Sequence, residues 1–493
     1  MSSSTQAPAP ARSGLDAYFG ISRRGSSVAQ EVRGGLVTFF TMAYIIALNP
    51  LIIGTMPDVN GNLVSGLPAS DPANIPPTIA MVAAATALVA GIVTILMGTV
   101  ARFPLALATG LGLNAMLAYV VAPQVTWPQA MGLIVWEGII ILVLVLTGFR
   151  EAVFRAVPRA LRTGIAVGIG LFITLVGLSG AGVVRQGAGT PVELGIGGHL
   201  LGWPIAVFVV GLILLVLLYV KRVRGAMLIS IVAMTVVAVV LESVLGIGGQ
   251  NMGENPTGWA LNVPAVTGSL FSLPDLSLLG RVDLFGAFTA GPEVTIAMFM
   301  TVFALLLADF FDTMGTIVAV GAEGDLLDAE GNPERTREIL VVDSVAAIAG
   351  GLGSVSSNTS YIESAAGVGE GARTGLASVV TGVAFLVSLF LAPLVKLVPS
   401  EAASPALVFV GFLMLSQVIH VDWTDPEEGF PAFATMVMMP FAYSITAGIG
   451  AGFIFYALIK VASGKAREVH PLLWVVAIAF ILYFAEGIIG ALL

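Results

Sequence analysis

"GSVSSNTSYIESAAGVGEG", residues 353 to 371, has the polarity of a loop, yet it lies between apolar stretches near 339–355 and 375–397 that read as membrane spans. Non-helical backbone at membrane depth persists only where protein or a water-filled cavity supplies its hydrogen bonds. A second poor helix, "FPLALATGLGLNAMLAY" at 103–119, begins around Pro104 and is interrupted at Thr109, Gly110, Leu111 and Gly112. Each segment is read as a short extended stretch followed by a half-helix, whose first N–H groups face the midplane and can receive a ligand.

Working outward, the chain has 493 residues, 57% of them hydrophobic and 10% charged, whereas a soluble domain carries about 25% charged residues. It is a multi-span helical membrane protein, since apolar windows of about 17 to 25 residues recur without the alternation of barrel strands. Spans are predicted near 33–55, 77–99, 104–122, 128–149, 163–179, 204–221 and 225–247. A second series follows near 292–320, 339–355, 357–370, 375–397, 403–421, 430–445 and 447–463. Residues 1–31 are expected to form a disordered cytoplasmic tail with no signal-type apolar core, and residues 248–291 an extracellular loop.

Arg23, Arg24 and Arg33, then Arg102, then Arg150, Arg155, Arg159 and Arg162, then Lys221, Arg222 and Arg224 recur at every second loop. This positive-inside pattern puts the N-terminus in the cytoplasm of a multi-pass protein of the cell membrane. Seven spans precede the long loop, so the second series starts outside, which is the arithmetic of a seven-plus-seven inverted repeat. The order of short matches agrees: "TFFTMAYIIA" from Thr38 with "DFFDTMGTIVA" from Asp309, and "VPRA" from Val157 with "VPSEA" from Val398. Lys460, Lys465 and Arg467 belong inside if 430–463 holds two short helices broken around "SITAGIG", leaving 471–491 as an additional C-terminal hydrophobic segment. A single kinked helix over 430–463 is the alternative and puts that basic loop outside.

Cysteine is absent, which removes disulfides, thiolate metal sites and thiol nucleophiles together. No cofactor or metal is called for, no P-loop supports ATP-driven pumping, and nothing points to nucleic acid. Asp309 and Asp312 lie three residues apart in "LLADFFDTMGTIVAVG", at a cost of a few kcal/mol or more for a charge at mid-bilayer. Three-residue spacing puts them on one helix face, able to turn into the bundle. Glu363 lies at the start of the second half-helix and Asn114 in the first.

"NTSYIESAAGV", "ADFFDTMGT", "GLGLNA" and "GLVTFFTMAYIIALNP" resemble, in order and over most of the chain from Gly20 to about Pro471, the AzgA-type purine permeases of the nucleobase-cation symporter-2, or nucleobase-ascorbate, superfamily. The resemblance implies an all-α polytopic protein of about fourteen spans with short strands in the third and tenth. It implies a core domain (32–150 and 292–397), a gate domain (158–247 and 403–463) and, in many members, a homodimer. It further implies that a purine base is imported with protons, that Asp309 and Glu363 hold the base, that Asn114 faces them, and that Asp312 supports the site. "GSVSSNTSY" and "GARTGL" depart from the forms common in the superfamily, which leaves base preference open, and Glu137 matches no family role.

The residues themselves fit that chemistry. Carboxylates accept from the ring N–H and exocyclic amine of a purine, while Asn114 both donates and accepts. His199, His420 and His470 fall in loops or span ends, so the proton is assigned to a carboxylate, Asp309 with Asp312 nearby, and Glu363 to the substrate. Thr359 and Ser360 either touch the base or cap the half-helix. A helix-joining role is the lesser alternative for Asn114, and Glu137, Asp343 and Glu486 are read as structural. Two other functions compete. An anion transporter or channel on this fold is opposed by the three acids, and an intramembrane aspartyl protease by the lack of a second aspartate-bearing helix motif.

Overall fold

The computed structural model describes residues 14–148, 157–187, 189–251, 254–265, 272–289, 292–328 and 332–490. Residues 1–13, Arg150, Arg155 and the side chain of Glu486 lie outside the described residues. Among the described residues, ten helices are long and apolar enough to cross a membrane, from Val28–Ile53 to Ile445–Ala462. Shorter elements lie where the sequence predicts the remaining spans, including helices Thr336–Leu352 and Pro426–Phe441 and two strand-plus-half-helix segments.

Helix packing separates into two sets. In the first, helix Trp127–Thr147 packs on Thr336–Leu352 and Pro292–Glu323, while Gly375–Ser388 packs on Ile75–Leu96 and Val28–Met42. In the second, Arg159–Gly180 packs on Ser400–Leu415 and Pro426–Phe441, and Trp203–Val220 on Ala226–Leu245. The last two carry many exposed apolar side chains, among them Val210, Ile213, Val236 and Val240, as lipid-facing helices do.

Small residues set the closest helix contact. A Cβ on Gly375 would lie 2.0 Å from the Gly98 carbonyl oxygen, and one on Gly382 2.6 Å from that of Gly91. Glycines at two pairs of facing positions let the backbones meet, as expected where lipid supplies no hydrophobic drive between helices.

One sequence expectation changes here, and one open choice is decided. Residues 14–31 are not disordered: Gly14–Phe19 is helical, and Phe19 and Ile21 are buried against Leu376. Two apolar side chains among Ser, Gly and Arg are enough to dock the segment, although they show no periodicity. Residues 430–463 form two helices, Pro426–Phe441 and Ile445–Ala462; Tyr443 between them has φ 51°, and the Ser444 hydroxyl accepts from Ala447 N–H at 3.2 Å.

Glu31 explains how the start of helix Gly375–Ser388 is tied to the rest. It is fully buried, and its carboxylate accepts from Arg373 N–H at 2.9 Å and Thr374 N–H at 3.2 Å. Glu31→Ala leaves both donors unsatisfied, and we expect a loss of about 2 kcal/mol, seen as a lower Tm of the detergent-purified protein.

Candidate functional site

The two broken segments meet. Strand Leu107–Thr109 pairs antiparallel with Asn358–Ser360, with Leu107 opposite Ser360, Ala108 opposite Thr359 and Thr109 opposite Asn358. All six residues are buried, so their spare backbone groups need internal partners. Thr94 Oγ1 bonds both the N–H and the carbonyl of Leu107 at 2.9 Å, Tyr361 hydroxyl donates to the Thr109 carbonyl at 2.6 Å, and Ala106 N–H donates to Ser364 Oγ at 3.0 Å. Half-helices Leu111–Met116 and Ser364–Gly369 run on from the two strands.

Helix Pro292–Glu323 passes this strand pair and gives its acids different surroundings. Asp309 is fully buried, with Thr359 beside it, and neither of its carboxyl oxygens makes a hydrogen bond. Asp312, less than a turn further on, lies deep in the protein yet is exposed, so it opens onto an internal cleft. Glu363 is half-buried at that cleft, within electrostatic reach of Asp312, and accepts a hydrogen bond from the Tyr44 hydroxyl at 2.5 Å. Phe311 is half-buried beside them, and the Arg162 guanidinium of helix Arg159–Gly180 lies 5.6 Å over its ring, joining the two packing sets.

Asn114 is fully buried; its Oδ1 accepts from Thr109 Oγ1, and its amide nitrogen has no hydrogen-bond partner. The hydroxyls of Thr359 and Ser360 are engaged by Thr313 and Asp343. Ser360 donates to Asp343 Oδ1 at 2.7 Å, and Thr313 donates to Asp343 Oδ2 at 2.9 Å. Thr313 has only one hydroxyl proton, so in its 2.8 Å contact with Thr359 it is the acceptor.

Residues 29–451 match the model of the Permease family, Xan_ur_permease. Over 471 residues the chain is 36% identical to adenine permease AdeP of Escherichia coli (strain K12), covering 95% of each protein. The chain belongs to the nucleobase:cation symporter-2 family.

As a member of that family of permeases it is a multi-pass transporter and not an enzyme. Guanine/hypoxanthine permease PbuG of Bacillus subtilis (strain 168) is also 36% identical, over 95% of this chain and 99% of that protein. The fold is shared more widely. The inward-facing structure of the murine Slc26a9 anion transporter superposes with a TM-score of 0.60 at 11% identity, over 93% of this chain and 74% of that one.

Within this family member, the positions singled out in sequence divide by the strand pair. Asp312 and Glu363 face the cleft; Asp309, Thr359 and Ser360 lie with Asp343 and Thr313; Asn114, on half-helix Leu111–Met116, bonds Thr109 at the end of the facing strand. Sequence reasoning missed Tyr44, whose position in "TFFTMAYIIA" is signalled only by the match of that stretch to "DFFDTMGTIVA". Asp343, read as structural, is the acceptor on which the Ser360 and Thr313 hydroxyls converge. The three histidines lie elsewhere, His199 in a turn after Ile196, His420 in a short 3-10 helix and His470 before helix Pro471–Gly490.

Proposed function

We propose that this permease imports purine nucleobases of the hypoxanthine, guanine and adenine class across the cell membrane by proton symport. The observation that carries this reading is the convergence of Asp312 and Glu363 on one internal cleft, with Tyr44 fixing one oxygen of Glu363. A purine presents two or three N–H donors along one edge, and two carboxylates separated by a phenol supply acceptors of matching character. The printed names of the relatives, adenine permease and guanine/hypoxanthine permease, support the same class.

In this reading the first packing set is the core that carries the base, and the second is the gate against which it moves. Asp309, sealed behind the strand, takes the proton. One proton moving down about 100 mV supplies roughly 2.3 kcal/mol, enough for about 50-fold accumulation of a neutral base. The N-terminus is cytoplasmic. In support, Arg24 donates to the carbonyls of Arg102 and Arg373, and Arg33 and Arg224 both pair with Glu370, so the basic residues of separate loops share one face.

The fold's anion transporters suggest sulfate or bicarbonate as a cargo, but Asp312 and Glu363 would repel an anion at this cleft. Competition of labelled hypoxanthine uptake by each unlabelled base, across external pH, tests the proposal. We expect purines to compete, sulfate not to, and uptake to rise as the outside is acidified. Uptake of labelled sulfate with no uptake of hypoxanthine would overturn it.

A further inference from the structure

Glu137 has no part in the function proposed above, and its surroundings are unusual for a structural side chain. It lies mid-way along helix Trp127–Thr147, fully buried, and neither carboxyl oxygen makes a hydrogen bond. Ser357 stands beside it without bonding geometry. The next residue, Gly138, marks where this helix presses on its neighbour: a Cβ there would lie 3.0 Å from the Ser344 carbonyl and 2.8 Å from Ile348 N. Glu137 is therefore held against the stretch of helix Thr336–Leu352 that carries Asp343, itself 2% exposed.

Three helices thus each bring one carboxyl group to the side of strand Asn358–Ser360 away from the cleft. The charged groups acting most strongly on them are one another and Asp312: Asp343 on Glu137; Asp343, Glu137 and Asp312 on Asp309; and Asp312 on Asp343. Asp343 has two hydroxyl donors, whereas Glu137 and Asp309 have none. A buried carboxylate with neither a counter-charge nor a donor costs several kcal/mol, and three within electrostatic reach of one another compound that cost. The cluster therefore favours the uptake of positive charge. Among the described residues no group of three acidic or histidine side chains is arranged to share a metal ion. A hydrogen ion, which needs one oxygen and no coordination shell, is the cation that fits.

We propose that Glu137, Asp343 and Asp309 form a binding site for the transported proton behind the strand pair, separate from the cleft carboxylates that hold the base. This rests on the symport reading above and extends it from Asp309 to two further acids. Loading transfers a proton from hydronium in the cleft to a carboxyl oxygen of the cluster. One O–H bond forms there as one breaks on hydronium, leaving water. Release to cytoplasmic water reverses the step. The Thr359 to Thr313 to Asp343 hydroxyl chain ties the proton site to the strand whose other side borders the cleft, so the two sites can sense each other without sharing a carboxylate.

The test uses the purified permease in proteoliposomes with labelled hypoxanthine. Two readouts are compared: accumulation driven by an imposed pH gradient, and exchange of internal against external base at equal pH. Glu137→Gln is isosteric and neutral, so it imitates a permanently protonated acid. We expect exchange to persist while gradient-driven accumulation falls by about tenfold or more, out of the roughly 50-fold that one proton supports. Proton entry accompanying hypoxanthine, read with an internal pH dye, falls in parallel. An unchanged pH profile and full accumulation in Glu137→Gln, with wild type active in both assays, overturns the proton site alone. A wild type that neither accumulates nor exchanges purine overturns the symport reading and the site with it. If Glu137→Gln does not reach the membrane, infrared difference spectra of wild type decide: a titrating carboxylic-acid band unaffected by bound base supports the site, and its absence refutes it.

Discussion

Replacing Glu363 by glutamine is expected to cut uptake of labelled hypoxanthine by about 100-fold at substrate concentrations below KM, because a charge-assisted hydrogen bond of roughly 1.5–3 kcal/mol is lost. The amide keeps the size of the side chain but replaces one acceptor oxygen by a donor. Tyr44, which donates to Glu363 at 2.5 Å, then faces either a weaker carbonyl acceptor or a competing N–H. The base meets the same mismatch at the other oxygen. The loss falls on binding, so KM rises more than the maximal rate falls. Calorimetric titration of purified protein with hypoxanthine should show the same change in Kd. A Glu363→Gln permease with unaltered KM would place the base elsewhere in the protein.

The contrast between Glu363 and Asp309 shows what the amino-acid sequence can and cannot disclose. Both acids stand out in a chain with so few charges, and the polar, glycine-rich stretch at 353–371 announces a broken span from hydropathy alone. Three-residue spacing puts Asp309 and Asp312 on one face of one helix. It cannot say that a strand from residues 358–360 passes one of the two acids and an open cleft the other. Residues at i and i+3 are offset by about 60° around the axis, which is enough to separate a sealed site from a wet one.

Thr359 and Ser360 carry a similar lesson. The partner that decides their orientation, Asp343, belongs to the preceding helix and carries no local signal. Strands of three residues are too short for any period to register. The helix break near Tyr443 was accessible from the basic residues beyond it, because topology constrains charge over a whole span. Docking of Phe19 and Ile21 was not accessible, since two apolar residues near a terminus do not distinguish a packed segment from a tail.

Movement of one packing set against the other, as symport requires, is open to a direct block. Gly112, on the half-helix of the first set, faces Ile169 on helix Arg159–Gly180 of the second: a Cβ at position 112 would lie 3.9 Å from Ile169 Cβ and 2.5 Å from its Cγ2. Disulfides need Cβ atoms about 3.5–4.5 Å apart, so Gly112→Cys with Ile169→Cys meets the distance, and the second change also removes the methyl that would clash with the first. The chain contains no cysteine, so no background thiol competes. Before oxidation the double variant should take up hypoxanthine. After mild oxidation, uptake should fall below about a tenth of that level and return with reductant, since one covalent tie spans the surface along which the halves must slide. Each single-cysteine variant should be indifferent to oxidation. A double variant shown by mass spectrometry to be cross-linked, yet transporting at its reduced rate, would mean that positions 112 and 169 travel together and that the moving boundary runs elsewhere.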